Sequence, residues 1–369
     1  MTRRCKRVVF YVSGHGYGHA TRMRVLAAAL VQRAGDAVSV HVRTEAPHWI
    51  FTERAPATEC SSAPIDVGVL QKNGLDLDLP ETLAAHERFV ADFEPAVARE
   101  ATWLTETGAS LVVADIPPLA FAAARRVGVP AVGVANFSWD WILDEYTADE
   151  PRFRPIVERY AAAYSEADTL FRLPFHGPFD AFPNVVDAPL LVNRATRSRE
   201  ETLGEIGLSA TDERPLVLVS FGGFGRSEAD ATTGDDLSAY RFAGFGPPPD
   251  GLRAEWHRLP DPSPVRHEDL MRACDAILGK PGYGTLAEAA VEGTRFVYLP
   301  RVGFREVPVL EAQIERYCPA HCMPRTDFES GRWREHLDAV FELPHPTERP
   351  NPDGHTFIAS RLCNRLDLP

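Results

Sequence analysis

Residues 8–22 read VVFYVSGHGYGHATR. The five apolar residues at 8–12 form a run that ends in glycines, which is typical of a short buried strand. From Met23 to Val31, apolar side chains then recur at the spacing of one helical face. The stretch therefore predicts a strand, a glycine loop and a helix in direct succession.

The same alternation recurs along the whole chain. Apolar runs predict further strands at 38–42, 111–115, 129–134, 215–220, 276–278 and 295–299. Strands that alternate with helices predict parallel sheets covered on both faces. We therefore expect an α/β protein.

The pattern also restarts after a charged stretch, which predicts two Rossmann-like domains. We expect an N-terminal domain over 1–195 and a second domain over 196–345. A C-terminal tail helix within 346–369 is expected to pack back on the first domain. The stretch 226–250 is rich in Gly, Asp and Pro, and it predicts a long surface loop.

Composition narrows the classes of partner. The 369 residues include 52 acidic and 39 basic side chains, a net charge of −13, which disfavours nucleic acid and anionic membrane surfaces. No apolar run is long enough for a membrane span, and the six scattered cysteines do not suggest a disulfide framework. We expect a cytoplasmic protein.

No metal site is expected. Cys318, His321 and Cys322 lack a second ligand pair at zinc spacing, and Asp76-x-Asp78 lies in a loop-like segment.

The first glycine loop carries candidate acid–base chemistry. Its glycines and the following helix N-terminus favour an anionic or oxygen-rich ligand, and a dinucleotide fingerprint is a rival explanation. Histidine takes protons from hydroxyls near neutral pH, and Asp115 at a strand end of the same sheet can orient it. We expect His19 as the base with Asp115 as its partner. His15 is the alternative base, and helix capping is the non-catalytic alternative.

The second glycine loop, GKPGYGTLAEA at 279–289, follows another predicted strand. Thr285 and Glu288 match a capping box, which predicts that a helix begins at Thr285. Its N-terminus suits a diphosphate, and Glu288 is either a cap or a group that binds ribose hydroxyls. No Walker lysine motif is present, so hydrolysis of nucleoside triphosphates is not expected.

Five ordered motifs resemble one known group. GHGYGHATR (14–22), NFSWD (136–140), FGG (221–223), GKPGYGT (279–285) and REVP (305–308) resemble the glycosyltransferase-like N-terminal half of plant L-arabinokinase and its bacterial stand-alone relatives. The resemblance implies a GT-B fold, in which two Rossmann-like domains have parallel sheets facing across a cleft. It also implies that the domain over 1–195 is the acceptor-side domain and that the domain over 196–345 binds the nucleotide-sugar donor. It does not extend to the kinase half, so kinase activity is not implied.

The two glycine loops resemble functional loops of further transferases. The second is similar to the donor loop of the lipid II N-acetylglucosaminyltransferase and of monogalactosyldiacylglycerol synthase, which favours ribose binding by Glu288. The first is similar to the Gly-His of plant small-molecule glycosyltransferases, whose histidine–aspartate pair corresponds to His19 and Asp115. The Asp-Gln pair with which those plant enzymes read donor hydroxyls is absent, and Arg305 and Glu306 stand nearby.

The donor-binding candidates are Gly222, Gly223, Lys280, Gly282, Tyr283, Gly284, Thr285, Glu288, Arg305 and Glu306. The acceptor-side candidates are His15, Gly16, Gly18, Trp139 and Asp140.

The expected function is transfer of a sugar from a nucleotide-sugar to a small-molecule acceptor. We expect an inverting, metal-independent reaction with a UDP-sugar as the favoured co-substrate and no other cofactor. The acceptor class stays open, with a nucleobase or another secondary-metabolite scaffold as candidates. A sugar-nucleotide epimerase and a non-catalytic sugar-nucleotide sensor are the alternatives.

Overall fold

The structure is a computed structural model that describes residues 5–52, 58–73, 75–221, 234–248, 252–260 and 262–368. The chain divides into two compact units. Unit 1 comprises residues 1–70, 78–192 and 351–369, and unit 2 comprises residues 71–77 and 193–350. Each unit contains one parallel sheet, so the expected α/β class with two parallel sheets is confirmed.

The strands, in chain order, are β1 (Lys6–Val12), β2 (Val38–Arg43), β3 (Thr58–Ser61), β4 (Ala109–Asp115), β5 (Ala131–Ala135), β6 (Thr169–Arg172), β7 (Val185–Asp187), β8 (Leu216–Ser220), β9 (Asp236–Gly244), β10 (Arg253–Arg258), β11 (Ala276–Gly279), β12 (Arg295–Tyr298) and β13 (Ala320–Cys322).

The helices are α1 (Tyr17–Ala34), α2 (Trp49–Thr52), α3 (Leu79–Ala91), α4 (Phe93–Thr107), α5 (Pro118–Val127), α6 (Trp139–Asp144), α7 (Arg154–Tyr164), α8 (Arg199–Glu205), α9 (His267–Ala273), α10 (Tyr283–Glu292), α11 (Val307–Tyr317), α12 (Arg325–Glu329), α13 (Arg334–Glu342) and α14 (Gly354–Arg365).

The sheet of unit 1 has the strand order β3-β2-β1-β4-β5-β6-β7, and its neighbouring strands pair in parallel. All five residues from Val8 to Val12 in β1 are fully buried, as expected for a strand covered by helices on both faces. The strand order reverses between β1 and β4, and ligands of such sheets bind at the carboxyl ends of the strands at this point. The end of β1 and the end of β4 therefore mark the expected ligand position in unit 1.

The last helix of the chain, α14, belongs to unit 1. Helix α14 packs against α1, and its Ile358, Leu362 and Cys363 are fully buried. The backbone of Leu191 also pairs with that of Asp353 just before α14. The apolar spacing that predicted a last helix thus corresponds to a helix that belongs to the core of unit 1.

The sheet of unit 2 has the order β10-β9-β8-β11-β12-β13, again parallel throughout. Its order reverses between β8 and β11, so its expected ligand position lies at the ends of these two strands. The predicted loop at 226–250 is wrong over 236–244, which forms β9. The Gly, Asp and Pro residues that suggested a loop lie at the margins of this strand, whereas Leu237, Tyr240 and Phe242 within it are buried.

A short early segment also belongs to unit 2. Residues 71–77 fold with this unit rather than with the flanking chain, and Leu75 joins the core cluster that contains Phe242, Met323 and Trp333. The boundary expected near residue 195 did not include this excursion of seven residues.

Candidate functional site

The first glycine loop connects β1 to α1 in unit 1. Gly16 caps the helix with φ 75° and ψ 175°, a conformation that a residue with a side chain adopts only with strain. Gly18 lies in the first turn of α1, and a Cβ added there would meet no atom within 4 Å. The backbone at the start of α1 is therefore open to a ligand.

His19 and Asp115 meet at the switch point of unit 1. His19 lies in the first turn of α1 and Asp115 closes β4, and the distance from His19 Nδ1 to Asp115 Oδ1 is 2.9 Å. Asp115 is fully buried and His19 is 5% exposed. Because Nδ1 faces the carboxylate, Nε2 is the ring nitrogen that remains to exchange a proton with a ligand.

Arg22 and Asn136 complete this cluster, and the sequence analysis assigned them no role. Arg22 donates to both oxygens of Asp115 at 2.6 Å, and its Nη1 donates to Asn136 Oδ1 at 2.7 Å. Both residues are nearly fully buried. The available signals were positional: Arg22 lies three residues after His19 on one helical face, and Asn136 directly follows β5.

The cluster keeps Asp115 ionised. Burial raises the pKa of this carboxyl, but the charges of Arg22 and His19, together with their hydrogen bonds, outweigh burial and hold the pKa below its ordinary value. A charged Asp115 can hold the His19 ring in one orientation and stabilise an imidazolium.

Aromatic rings and a second acid surround the two loop histidines. The ring of Trp139 lies 5.4 Å from the ring of His15 and 6.4 Å from that of His19, between ring centroids. Its Nε1 donates to Asp66 Oδ2 at 3.0 Å. Gly68 packs directly on His15, since a Cβ at that position would lie 2.1 Å from His15 Nδ1.

Two acids near this aromatic group have raised pKa values. Burial raises the pKa of Asp66 against hydrogen bonds from Ser13 and Trp139, and burial likewise raises the pKa of Asp140. Trp139 is only 1% exposed, so its ring is a buried packing partner of His15. Asp140, in the first turn of α6, is partly exposed.

The second glycine loop of unit 2 starts a helix at a different residue from the one predicted. Helix α10 begins at Tyr283, and extended Gly282 is its N-cap. The expected capping box is therefore wrong: Thr285 already lies inside the first turn, where its side chain is past the capping position. Tyr283 is buried and Thr285 is partly exposed.

Gly282 and Gly284 are not required by the packing of this protein. A Cβ added at either position would meet no atom within 4 Å, and neither residue has a positive φ. Glycine inside a helix costs about 1 kcal/mol relative to alanine. Gly284 bears this cost inside α10, whereas Gly282 is the N-cap, a position where glycine is common. A ligand that approaches the backbone closely would explain why glycine stands at position 284.

Glu288 is engaged by a residue that the sequence analysis missed. Its Oε2 lies 2.7 Å from Nδ1 of His267, the first residue of α9, and Glu288 is 7% exposed. The two residues are 21 positions apart on different helices, so no local pattern indicated the pair.

Lys280 lies between β11 and α10 with further charges near it. Burial, followed by the positive charge of Arg301, lowers the pKa of Lys280 to about 7, while the charge of Glu306 opposes this shift. Arg301 is 8% exposed, lies over the ring of Phe304 and donates to Gln71 at 3.1 Å. The sequence analysis did not select Arg301.

Four donor candidates remain, and the structure describes two of them. Arg305 and Glu306 are partly exposed, and Glu306 directly precedes α11. Gly222 and Gly223 lie outside the described residues, directly after Phe221 at the end of β8.

The candidate metal-ligating residues have other partners. Asp76 pairs with Arg325, and the Asp78 carboxylate accepts a hydrogen bond from the backbone of Glu81 at the start of α3. His321 lies 3.0 Å from His336 between ring nitrogens. Within the described ranges, no three His, Cys, Asp or Glu side chains are grouped so that they could hold a metal ion. None of the helices described is long and apolar enough to cross a membrane.

Comparison with known proteins finds a related sequence and related folds. No family profile matches the chain. It is 34% identical over 349 residues to L-arabinokinase of Arabidopsis thaliana, which covers 92% of this chain and 32% of that protein. The chain thus spans about a third of the length of this curated relative.

Solved structures share the fold across nearly the whole chain. The glycosyltransferase of kitacinnamycin superposes with a TM-score of 0.66 at 15% identity, covering 99% of this chain and 100% of the other. UGT2 of Phytolacca americana, complexed with UDP-2-fluoro-glucose and pterostilbene, gives 0.61 at 12% identity, covering 98% and 100%. The chain therefore has the GT-B fold of these proteins, and its sequence is similar to one third of L-arabinokinase.

Proposed function

We propose that this protein is a glycosyltransferase that uses a nucleotide-sugar donor and a small-molecule acceptor. The observation that carries the proposal is the His19–Asp115 pair, 2.9 Å apart at the switch point of unit 1. An imidazole backed by a buried carboxylate is suited to remove a proton from a hydroxyl or a similar nucleophile.

In this proposal unit 1 activates the acceptor. Nε2 of His19 takes the acceptor proton, and Asp115 stabilises the resulting imidazolium. The activated acceptor attacks the anomeric carbon in line, the bond from that carbon to the nucleoside diphosphate breaks, and the configuration inverts. Trp139 and Phe137 pack against His19 and restrict its ring to this orientation.

Unit 2 binds the donor in this proposal. The diphosphate lies at the start of α10, where a Cβ added at Gly282 or Gly284 would meet no atom within 4 Å and the helix N-terminus favours negative charge. Lys280 contributes a further positive charge. These groups stabilise the charge that develops on the leaving diphosphate.

We favour a UDP-sugar as donor and a secondary-metabolite scaffold or nucleobase as acceptor. The support is the shared fold with UGT2, which was solved with a UDP-sugar analogue and pterostilbene, and with the glycosyltransferase of kitacinnamycin. A shared fold supports a substrate class only by analogy. The test therefore varies both the donor and the acceptor.

The test begins with thermal unfolding against UDP-, GDP-, CDP- and dTDP-sugars. A ligand at about 100 times its dissociation constant stabilises the folded state by about 2.7 kcal/mol, which gives a measurable rise in Tm. The stabilising donor is then incubated with a panel of acceptors, and release of the nucleoside diphosphate is measured together with the mass of the product.

Formation of a glycosylated product supports the transferase. Stabilisation by a nucleotide-sugar without transfer to any acceptor would favour a binding protein, and conversion of the donor to an epimer would favour an epimerase. If no nucleotide-sugar raises Tm, the donor site and the proposed function both fail.

A further inference from the structure

His267 brings an imidazole to the carboxyl ends of the two central strands of unit 2. Its Nε2 lies 3.3 Å from the hydroxyl of Ser220. Ser220 ends β8 and pairs in register with Gly279, which ends β11. His267 therefore lies at the switch point of this sheet, next to the loop that leads into α10.

The imidazole, rather than the carboxylate, is the accessible member of the His267–Glu288 pair. The His267 side chain is 32% exposed, whereas that of Glu288 is 10% exposed. One oxygen of Glu288 already lies 2.7 Å from His267 Nδ1. A ligand that enters at the strand ends would meet the imidazole first.

The charges around His267 favour its protonated form. Burial lowers the pKa of His267, but the charge and hydrogen bond of Glu288 and the charge of Glu268 outweigh it, so the pKa is raised above the ordinary value. Glu268 itself faces Arg266. The ring thus faces the Glu288 carboxylate from α10 and the Ser220 hydroxyl from β8, and the Glu268 carboxylate lies beside it on its own helix α9.

We propose that His267, held by Glu288, contacts the diphosphate of a bound nucleotide. The inference rests on the proposed function, because it places the same donor in the same unit. Glu288 is then a positioning residue behind His267, in place of the ribose-binding role that its sequence position suggested.

An anionic group fits this position better than a ribose hydroxyl. A protonated imidazole donates from both nitrogens and accepts from neither, and hydrogen bonds between charged partners are about twice as strong as neutral ones. The glycine amides of α10 and Lys280 flank the same strand ends and also favour negative charge. Glu288 already accepts from Nδ1 of the protonated ring, so Nε2, which lies beside the Ser220 hydroxyl, is the imidazole donor that a diphosphate would take together with these amides and Lys280.

The experiment compares the nucleoside alone, the nucleoside diphosphate and the diphosphate alone. Isothermal titration measures the binding of uridine, UDP and inorganic pyrophosphate to wild type, His267→Gln and Glu288→Gln, at about pH 6 and about pH 9, on either side of the ordinary histidine titration. His257→Gln, on edge strand β10, is the matched control. Lys280 also titrates in this range, so the result is the difference between variant and wild type at each pH.

We expect His267→Gln to weaken the binding of UDP and of pyrophosphate by about ten-fold or more near pH 6 and by much less near pH 9. Uridine binding should not change. In Glu288→Gln the imidazole should lose its proton at lower pH, which an NMR titration of the His267 ring would report, and tight UDP binding should be lost at a correspondingly lower pH. His257→Gln should bind as wild type does.

Two results would overturn the contact between His267 and the diphosphate without overturning the proposed function. In the first, UDP binds wild type and His267→Gln with equal affinity at both pH values. In the second, His267→Gln loses as much affinity for uridine as for UDP. The first leaves donor binding intact without His267, and the second places His267 on the nucleoside. If wild type binds no nucleoside diphosphate at all, the proposed function fails, and the contact fails with it.

Discussion

Arg22 donates two hydrogen bonds of 2.6 Å to Asp115, from Nε to Oδ2 and from Nη2 to Oδ1. The same carboxylate faces His19, so one buried acid serves a permanent cation and a titratable ring. Arg22 Nη2 and His19 Nδ1 share the Oδ1 atom of Asp115, and these two nitrogens lie 3.1 Å apart. The arrangement joins the first turns of α1 to the end of β4.

Replacement of His19 by alanine should remove catalysis without removing donor binding. Loss of a general base typically costs at least about 100-fold in turnover. The expected result is a kcat reduced by that factor, with the Tm shift produced by the donor unchanged, because His19 belongs to unit 1 and the donor groups belong to unit 2. Product formation by mass spectrometry and thermal unfolding provide the two measurements.

His176→Ala is a suitable comparison for that variant, since His176 lies in the same unit and is partly exposed outside the cluster. Equal turnover in His19→Ala and wild type would show that the imidazole is not the base.

Replacement of Asp115 by asparagine should destabilise unit 1. The change leaves the buried guanidinium of Arg22 without its counter-charge, and breaking one side of a buried ion pair costs about 3 kcal/mol or more. Urea unfolding gives the free energy. Asp187→Asn is the control, because Asp187 also lies 2.6 Å from an arginine, Arg172, but is 73% exposed. Its loss should cost under about 1 kcal/mol.

The Asp115 carboxylate should also make the stability of the folded protein depend on pH in the acid range. The pKa of Asp115 is lower in the folded protein than in the unfolded chain, where an Asp titrates near about 3.9. Its contribution to stability is therefore fully present above that value and is lost as the pH falls below it. The gap in unfolding free energy between wild type and Asp115→Asn should narrow from about pH 6 to about pH 3. A constant gap would mean that the carboxylate charge is not what stabilises the cluster.

The buried strands were predictable because a strand that is buried on both faces has apolar residues at successive positions. Val8 to Val12 read as one apolar run and lie fully buried in β1. Strand β9 was missed because its flanks carry the turn-forming residues and its own sequence mixes buried and exposed positions. The segment 71–77 gave no signal, since seven residues are too few to show a period.

The candidate site was predictable where a residue lies next to a strand end or inside a glycine loop. His19, Asp115 and the loop at 279–284 were found in this way. Arg22 and His267 were not found, because their importance comes from contacts with Asp115 and Glu288, which lie 93 and 21 positions away in the sequence. Asn136 directly follows β5 but was not selected either, since its contact with Arg22 spans 114 positions. Contacts of this kind depend on tertiary structure and leave no local pattern.

Gly284→Ala should stabilise the protein while it weakens donor binding. Gly284 lies in α10 with open space around its Cα, so alanine should raise the unfolding free energy by about 0.4 to 1 kcal/mol. The added methyl group would occupy the space in which the diphosphate approaches the backbone. Urea unfolding and titration with UDP measure the two effects.

Gly204→Ala in α8 provides the matched control, since a Cβ there also meets no atom within 4 Å. It should stabilise to a similar extent and leave UDP binding unchanged. If Gly284→Ala binds UDP as tightly as wild type does, the diphosphate does not approach that turn.

Lys280 should react as an amine near neutral pH. Its pKa of about 7 means that the neutral, nucleophilic form predominates above pH 7, where an ordinary lysine stays protonated. Labelling by an amine-reactive reagent, mapped by mass spectrometry, should increase through pH 7 and then level off. Lys6 and Lys72 are the other lysines of the chain and serve as internal comparisons.

UDP should protect Lys280 from the reagent and move its titration to higher pH, because a nearby anion favours the protonated amine. Labelling of Lys280 that rises only at strongly alkaline pH would contradict the lowered pKa.

Neither unit is a continuous piece of the gene. Leu75 belongs to the core of unit 2, although its codon lies inside the sequence of unit 1, and α14 belongs to unit 1, although it follows unit 2. Exchange of one whole unit between two relatives of this fold would therefore need crossovers at 70/71, 77/78, 192/193 and 350/351. A single crossover near residue 192 would join each core to a mismatched piece of the other parent, so hybrids made in that way would inherit new specificity only together with a packing defect.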